Sequence, residues 1–313
     1  MVTCIRYDCQ DEGQWDAFVE ASRSPLFFFK RRFLEYHSDR FTDASLMFYE
    51  DDVLVCVLPA TVHDKKIISH GGVTYGGFIY SPKIRTRTLQ DVFECFKQWA
   101  LSQDVEQFVY KAVPYIFNRQ PAQEDLYFIH HLLDGKLVRR DLSSIIFLKD
   151  RLKLSKGRKW LIARAKKLGL SVSESQDWEG FHALLTEVLA KHDAKPVHSV
   201  AELKLLKSRF EENIVLNVIM QDGGMLAAAL LFKFDNVIHT QYLATNDQGK
   251  EMGALDYLIE HAIEDGASVG NDYFSFGIST EDHGRTLNDG LLQQKESFGA
   301  RGMAIDFYEI NFK

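Results

Sequence analysis

In the second half of the chain, apolar and polar positions form one recognisable phrase. Residues 214–220 and 225–234 are apolar runs of strand length on either side of Asp222-Gly223-Gly224, a pattern that predicts a β-hairpin. A third run, 237–244, extends it. A glycine-bearing stretch then leads into 253–266, where Leu255, Leu258, Ile259, Ala262 and Ile263 recur at helical spacing, and a last strand is predicted at 273–277. The first half repeats the phrase. Residues 45–49 and 53–60 flank Glu50-Asp51-Asp52, and a strand is predicted at 66–70. A glycine-rich segment follows, then a helix near 86–101 and a strand at 107–112. Two copies of hairpin, strand, loop, helix and strand predict an α/β (α+β) fold of two tandem units, each a mixed sheet flanked by helices. The boundary falls near residue 150, giving domains 1–150 and 151–313.

The remaining periodicity predicts helices. Residues 11–22 place Trp15, Phe18 and Val19 on one face, and Phe29, Phe33 and Tyr36 share helical spacing after Ser24-Pro25. Lys30, Arg31 and Arg32 beside those rings form a solvated face or an anion site. Residues 181–191 are amphipathic through Phe181, Leu184, Leu185, Val188 and Leu189. Ser199 followed three residues later by Glu202 is a capping box that starts another helix. His192 and His198 flank that helix–loop–helix corner, where His198 is either a structural imidazole or one that faces a cleft.

Composition narrows the class. Of 313 residues, 46% are hydrophobic and 26% charged, as in soluble globular chains, and the net charge of -7 argues against a general coating of polyanions. No run approaches the ~20 apolar residues of a membrane helix. The opening MVTCIRYDCQDEGQW has acids where a secretory signal has an apolar stretch, so a cytoplasmic setting is expected. Cys4, Cys9, Cys56 and Cys95 form no CxxC pair, and neither a zinc framework nor any other metal site is expected.

Three segments have ligand-binding chemistry. Gly71, Gly72, Gly76 and Gly77 flank Tyr75; they line a ligand or form a bulged strand with tight bends. Lys153, Lys156, Arg158, Lys159, Arg164, Lys166 and Lys167 occur with no acid between Arg151 and Ser173, which is an anion site or an exposed basic helix. Gln248, Gly249, Lys250, Gly253 and Ala254 lie at the start of the helix after the third strand. Unpaired amides and the positive end of the helix dipole bind phosphate oxygens at such a place.

The spacing Lys250-x-x-Gly253 is similar to the acyl-CoA loop of the GNAT acyltransferases, Gln/Arg-x-x-Gly-x-Gly/Ala, with Leu255 in the last small position. SPLFFFKRRFLEYHSDRF, GGVTYGGFIY, SKGRKWLIARAKKLGL and FGISTEDHGRTLNDGLLQQKESFGARG extend the likeness over nearly the whole chain. As a set they resemble the FemAB-like (peptidoglycan-bridge, FemX-type) branch of the GNAT superfamily, which carries two GNAT-like domains. The resemblance implies transfer of an acyl or aminoacyl group to an amine. Acyl-CoA, acetyl-CoA first, is the implied co-substrate, and the acceptor is a small molecule such as a nucleotide-linked amino sugar or a cell-envelope or polysaccharide precursor. Lys295 falls where the family keeps a lysine that contacts the acceptor or the transferring carbonyl. Tyr242 falls on the strand beside the donor loop. Two departures stand out: Gln294 replaces a phenylalanine that often precedes the lysine, and no coiled-coil insertion separates the units.

The chemistry expected is direct attack of the amine on a thioester, since no Ser-His-Asp or Cys-His pattern supplies a covalent nucleophile. His198, Asp282 and His283 are the candidate bases. Tyr36, Tyr75, Gly76, Arg158 and Arg285 are assigned to the acceptor, with Lys295 and the basic helix beside them. Two alternatives stand. One is an aminoacyl-tRNA-dependent transferase of FemX type, against which net acidity and the missing insertion count. The other is a non-catalytic nucleotide-sugar-binding or interaction module, which the Gly253-x-Leu255 departure supports. An apolar helix face packs as well on its own domain as on another chain, so no oligomeric state follows.

Overall fold

The computed structural model describes residues 1–191 and 193–312. His192, one of the two corner histidines, lies outside the described residues. The chain divides into two compact units. The first is Met1–Asp141 with His283–Arg285 and the chain from Ala304 on; the second is Leu142–Asp282 with Thr286–Met303.

In the first unit, β1 (Val2–Arg6) leads into α1 (Glu12–Ala21) and the single turn α2 (Arg31–Leu34). Strands β2 (Thr42–Asp43), β3 (Leu46–Glu50), β4 (Val53–Leu58), β5 (Thr61–His63), β6 (Lys66–Ile68) and β7 (Ile79–Tyr80) follow. Then come α3 (Thr86–Ser102), β8 (Gln107–Lys111) and α4 (Glu124–His131). Asp51 and Asp52 are both left-handed, at φ 49° and 64°, as a two-residue hairpin turn between β3 and β4 requires. That hairpin pairs with β1 and β7 in an antiparallel sheet, while β2, β5, β6 and β8 form another. Leu89, Val92, Phe93 and Phe96 are the inner stripe of α3 and pack with Phe48, Phe78, Phe108, Tyr110 and Phe128. The strand predicted at 66–70 stops at Ile68, because His70 turns left-handed (φ 57°) and the chain bends into the glycine segment.

Strand β9 (Lys136–Phe147) carries the chain into the second unit. There follow α5 (Lys156–Lys167), β10 (Val172–Glu174), α6 (Trp178–Ala190) and α7 (Val200–Arg209). Next are β11 (Ile214–Gln221), β12 (Gly224–Lys233), β13 (Val237–Thr245), α8 (Asp247–Met252), α9 (Ala254–Ser268) and β14 (Tyr273–Ile278). A small hairpin, β15 (Thr280–Glu281) with β16 (Thr286–Leu287), precedes α10 (Asp289–Ser297), and β17 (Arg301–Asn311) returns to the first unit, where it pairs with β8. The sheet runs β10-β11-β12-β13-β14-β9 and is antiparallel except between β13 and β14. Leu258, Ile259, Ala262 and Ile263 of α9 bury against Ala229, Leu231, Ile238 and Phe274 on one face. The predicted capping box is formed: Ser199 Oγ accepts from the Glu202 amide at 3.3 Å, and Glu202 Oε2 accepts from the Ser199 amide at 2.8 Å.

Candidate active site

Strands β13 and β14 set the geometry. They pair in parallel only at Val237–Tyr273, Ile238–Phe274 and His239–Ser275. Beyond these pairs β13 runs on to Thr245 and β14 to Ile278 without pairing to each other, so the hydrogen-bonded ladder opens between them. A bulge in β13 decides which side chains reach it. Thr240 pairs with Leu231 of β12 but Tyr242 pairs with Leu230, leaving Gln241 as the extra residue. Phe232 and Leu230 share a face of β12, so their partners His239 and Tyr242 share a face of β13. Ile238 packs against Gly266 of α9, so that shared face is the opposite one, where Phe181 of α6 lies 6.4 Å from the Tyr242 ring.

Strand β14 bulges as well, its register against β9 shifting between Ser275 and Ile278. Gly277 takes φ 74° there, a conformation few side chains adopt. Lys295, the buried residue of α10, donates from Nζ to the carbonyls of Gly277 (3.1 Å) and Ile278 (2.5 Å). Burial lowers its amine from the usual lysine range to about 8. An ammonium has three donors, and these carbonyls take two. His239 Nδ1 lies 3.1 Å from Ser275 Oγ, which also accepts from the Gly277 amide at 3.4 Å. Burial first, and then the charge of Lys295, lower His239 to about 4, so it is neutral at pH 7.

Further along β13, Tyr242 holds the α6–α7 corner. Its hydroxyl lies 2.9 Å from His198 Nδ1 and accepts from the Val197 amide at 3.3 Å. His198 is 7% exposed, and its carbonyl lies 3.2 Å from His182 Nε2. Burial raises the Tyr242 phenol above its usual value. A cavity of about 690 Å³ opens at this corner, lined mainly by His182, Thr186, Ala190, Ala194, Val197 and His198.

The predicted donor residues lie on α8 and the start of α9. Asn246 Oδ1 accepts from the Gly249 amide at 2.7 Å and begins a helix that the sequence pattern did not show. Gly249 is pressed against the Leu226 carbonyl. Gly253 ends α8 at φ 75°, and a Cβ there would stand 2.5 Å from the Leu161 carbonyl of α5. Ala254 is buried, while Gln248 and Lys250 are exposed. Arg158 points inward: it pairs with Asp256 in the first turn of α9, donates to Ser297 Oγ at 2.7 Å and lies 5.0 Å over the Phe298 ring. Lys153, Lys156, Lys159 and Lys167 are exposed.

The other predicted residues lie elsewhere. Asp282, His283 and Arg285 are exposed around the β15–β16 hairpin tip, with His283 Nδ1 3.4 Å from Arg139 Nη1. In the first unit, Tyr36 is half-buried, with its ring tilted against that of His37 at 4.1 Å. Tyr75 is buried between Phe28 (6.0 Å) and Phe117 (4.9 Å). The Gly76 amide donates to the Lys111 carbonyl at 3.0 Å, and Lys111 Nζ donates to the Val73 carbonyl. Strands β6 and β8 also pair in parallel over three residues, Lys66–Gln107 to Ile68–Val109. The position that opens in the second unit is therefore filled in the first by the chain between His70 and Gly76.

Lys295, Tyr242 and His198 are thus the predicted catalytic residues that lie in or beside the β13–β14 opening. His239 and Ser275 escaped the sequence reading. They belong to strands whose apolar neighbours hide them, and the bulge that aligns His239 with Tyr242 breaks the two-residue period. Among the described residues, no His, Cys, Asp and Glu side chains group as a metal site, and no helix is long and apolar enough to cross a membrane.

Residues 149–285 match the acetyltransferase (GNAT) domain family. No curated protein matches the chain by sequence. Among solved structures, the fold is similar to FemX, at 10% identity and a TM-score of 0.69 over 98% of this chain and 97% of that one. It is also similar to L-PGS from Bacillus licheniformis, at 13% identity and a TM-score of 0.64 over 98% and 93%. A tandem GNAT protein from the clavulanic acid biosynthesis pathway aligns at 10% identity and a TM-score of 0.55 over 100% and 99%. The chain therefore carries a GNAT acyltransferase domain. It shares its fold with FemX and with that tandem GNAT protein, in line with the FemAB-like branch that its motifs resemble.

Proposed function

We propose that the protein is an N-acyltransferase that moves an acyl group from acyl-CoA to the amine of a small acceptor, such as an amino sugar or an envelope precursor. The observation that carries this reading is the Lys295 ammonium, buried at the β13–β14 opening with two donors fixed and one left for a substrate oxygen. The amine attacks the thioester carbonyl, a C–N bond forms, and the oxyanion receives the third N–H of Lys295. The C–S bond then breaks and the thiolate leaves. Tyr242, on the same face of β13, flanks the acceptor side through its link to His198.

One observation favours a second donor, aminoacyl-tRNA. The start of α9 is covered by α5: Gly253 abuts the Leu161 carbonyl and Asp256 already places a carboxylate in the first turn. A diphosphate held there meets an acid and a packed backbone. The exposed lysines of α5 suit a polyphosphate backbone better than a single small ligand.

Mass spectrometry of amino-sugar mixtures incubated with the full chain and either acyl-CoAs or charged tRNA tests both. Acylation from CoA supports the first donor. Transfer from tRNA alone, with binding that weakens steeply as salt rises, supports the second. No transfer from either removes the reading.

A further inference from the structure

We propose that His239 is the general base of this reaction. The inference rests on acyl transfer at the β13–β14 opening and adds the group that takes the proton from the attacking amine.

The ring is held in place for that task. Nδ1 lies 3.1 Å from Ser275 Oγ, and in the tautomer that donates its Nδ1 proton to that oxygen the lone pair resides on Nε2. Cε1 lies 3.4 Å from where a Gly277 Cβ would be, so the ring sits beside the residue whose carbonyl anchors Lys295. The residue as a whole is intermediate in burial and not fully enclosed. The predicted bases are placed less well. His198 stands at the α6–α7 corner, against Tyr242 and not beside Gly277, and Asp282 and His283 are exposed on the hairpin tip.

The charges around the ring supply the logic. From α10, Lys295 acts on the imidazole; from β14, Ser275 holds it; on its own strand and face lies Tyr242, with His198 from the α6–α7 corner. In the resting protein Lys295 is the charged group of the two, and the imidazole is neutral. As the amine attacks, negative charge grows on the carbonyl oxygen at Lys295 and offsets the lysine's part, smaller than that of burial, in keeping His239 neutral. The imidazole becomes more basic in the transition state than in the ground state, which is where a catalytic interaction lowers the barrier. The ammonium proton of the tetrahedral intermediate passes to Nε2. The imidazolium then returns it to the departing thiolate, or to the ribose oxygen if the donor is an aminoacyl ester, and every proton is accounted for.

The test combines titration and turnover on the full chain. Imidazole NMR titration of wild type and Lys295→Met is expected to show the His239 midpoint rise part of the way towards the usual histidine range when the lysine charge is removed. With acetyl-CoA or charged tRNA and amino sugars, His239→Gln is expected to lower kcat at least 100-fold with KM within threefold. Added imidazole is expected to restore part of the activity of His239→Ala, which a purely structural role does not allow. Full activity in His239→Gln, or a His239 midpoint unmoved by Lys295→Met, overturns the proposal while leaving acyl transfer intact. Absence of transfer in wild type removes both.

Discussion

Lys295 and His239 meet at one residue, Gly277. The lysine ammonium donates to its carbonyl at 3.1 Å, and the imidazole Cε1 lies 3.4 Å from the position of its missing Cβ. Helix α10 brings one partner and strand β13 the other, so the pair exists only where the β14 bulge turns a carbonyl toward the helix.

Removing the lysine charge separates its chemical role from its structural one. Lys295→Met is expected to keep the far-UV circular dichroism of the wild type and to lower kcat about 10²–10³-fold, the usual cost of losing one oxyanion donor. The ammonium is the working form, so wild-type kcat/KM is expected to fall as pH rises through about 8. A pH profile still flat at pH 9, or full turnover in the variant, demotes Lys295 to a packing residue.

Gly253 tests whether the loop glycine serves packing. Its φ of 75° and the Leu161 carbonyl at 2.5 Å from an added Cβ are both unfavourable to alanine. Gly253→Ala is expected to cost roughly 2–4 kcal/mol of stability in urea melts. Gly277→Ala has room beside His239 and strains only the backbone, at about 1 kcal/mol, so it is expected to lose turnover before stability. Equal stability losses in the two variants contradict this division.

The same contrast shows what the sequence makes legible. Period-two and helical patterns located the hairpins, α3, α6, α9 and β14, because each buries one continuous stripe. Ser199 and Glu202 announced α7 through a local hydrogen-bond exchange. Lys295 was reached through resemblance alone, since a single lysine in a polar helix has no pattern. His239 had no local signal, for its neighbours Val237 and Ile238 are core residues and its role depends on a bulge one residue further on. Helix α8 was missed because Asn246, Gly249 and Gly253 read as a loop until the Asn246 cap closes on the Gly249 amide. The cations of 153–167 gave one signal for two different jobs. Only packing sends Arg158 inward to Asp256 while the lysines stay in water.

That inward turn of Arg158 predicts a non-additive pair. Asp256 is 7% exposed, and its partner is about one-fifth exposed. Arg158→Met strands a buried carboxylate beside the start of α9 and is expected to cost about 3–5 kcal/mol. Asp256→Leu alone strands the guanidinium and is also destabilising. The double variant is expected to recover at least half of the larger loss, as a double-mutant cycle in urea reads directly. Additive losses show that the two side chains do not act as a pair.

Lys111 gives the first unit a pH signature of its own. It is 7% exposed and donates to the Val73 carbonyl where the chain from His70 to Gly76 fills the space beside β8. Burial, with Arg139 adding a smaller push, lowers its amine to about 7. An unfolded lysine titrates near 10.4. Between these values the unfolded chain binds the proton and the folded chain does not, so stability rises with pH, by up to about 1.4 kcal/mol per pH step from this group. Below pH 7 both states are protonated and the slope vanishes. Lys111→Met removes the slope, while Lys295 contributes equally to both proteins and cancels in their difference. Calorimetry at pH 6, 7, 8 and 9 is therefore expected to give a wild-type-minus-variant Tm difference that is constant up to pH 7 and grows in favour of the wild type above it. A difference that stays constant to pH 9 means that Lys111 keeps an ordinary amine and reaches water.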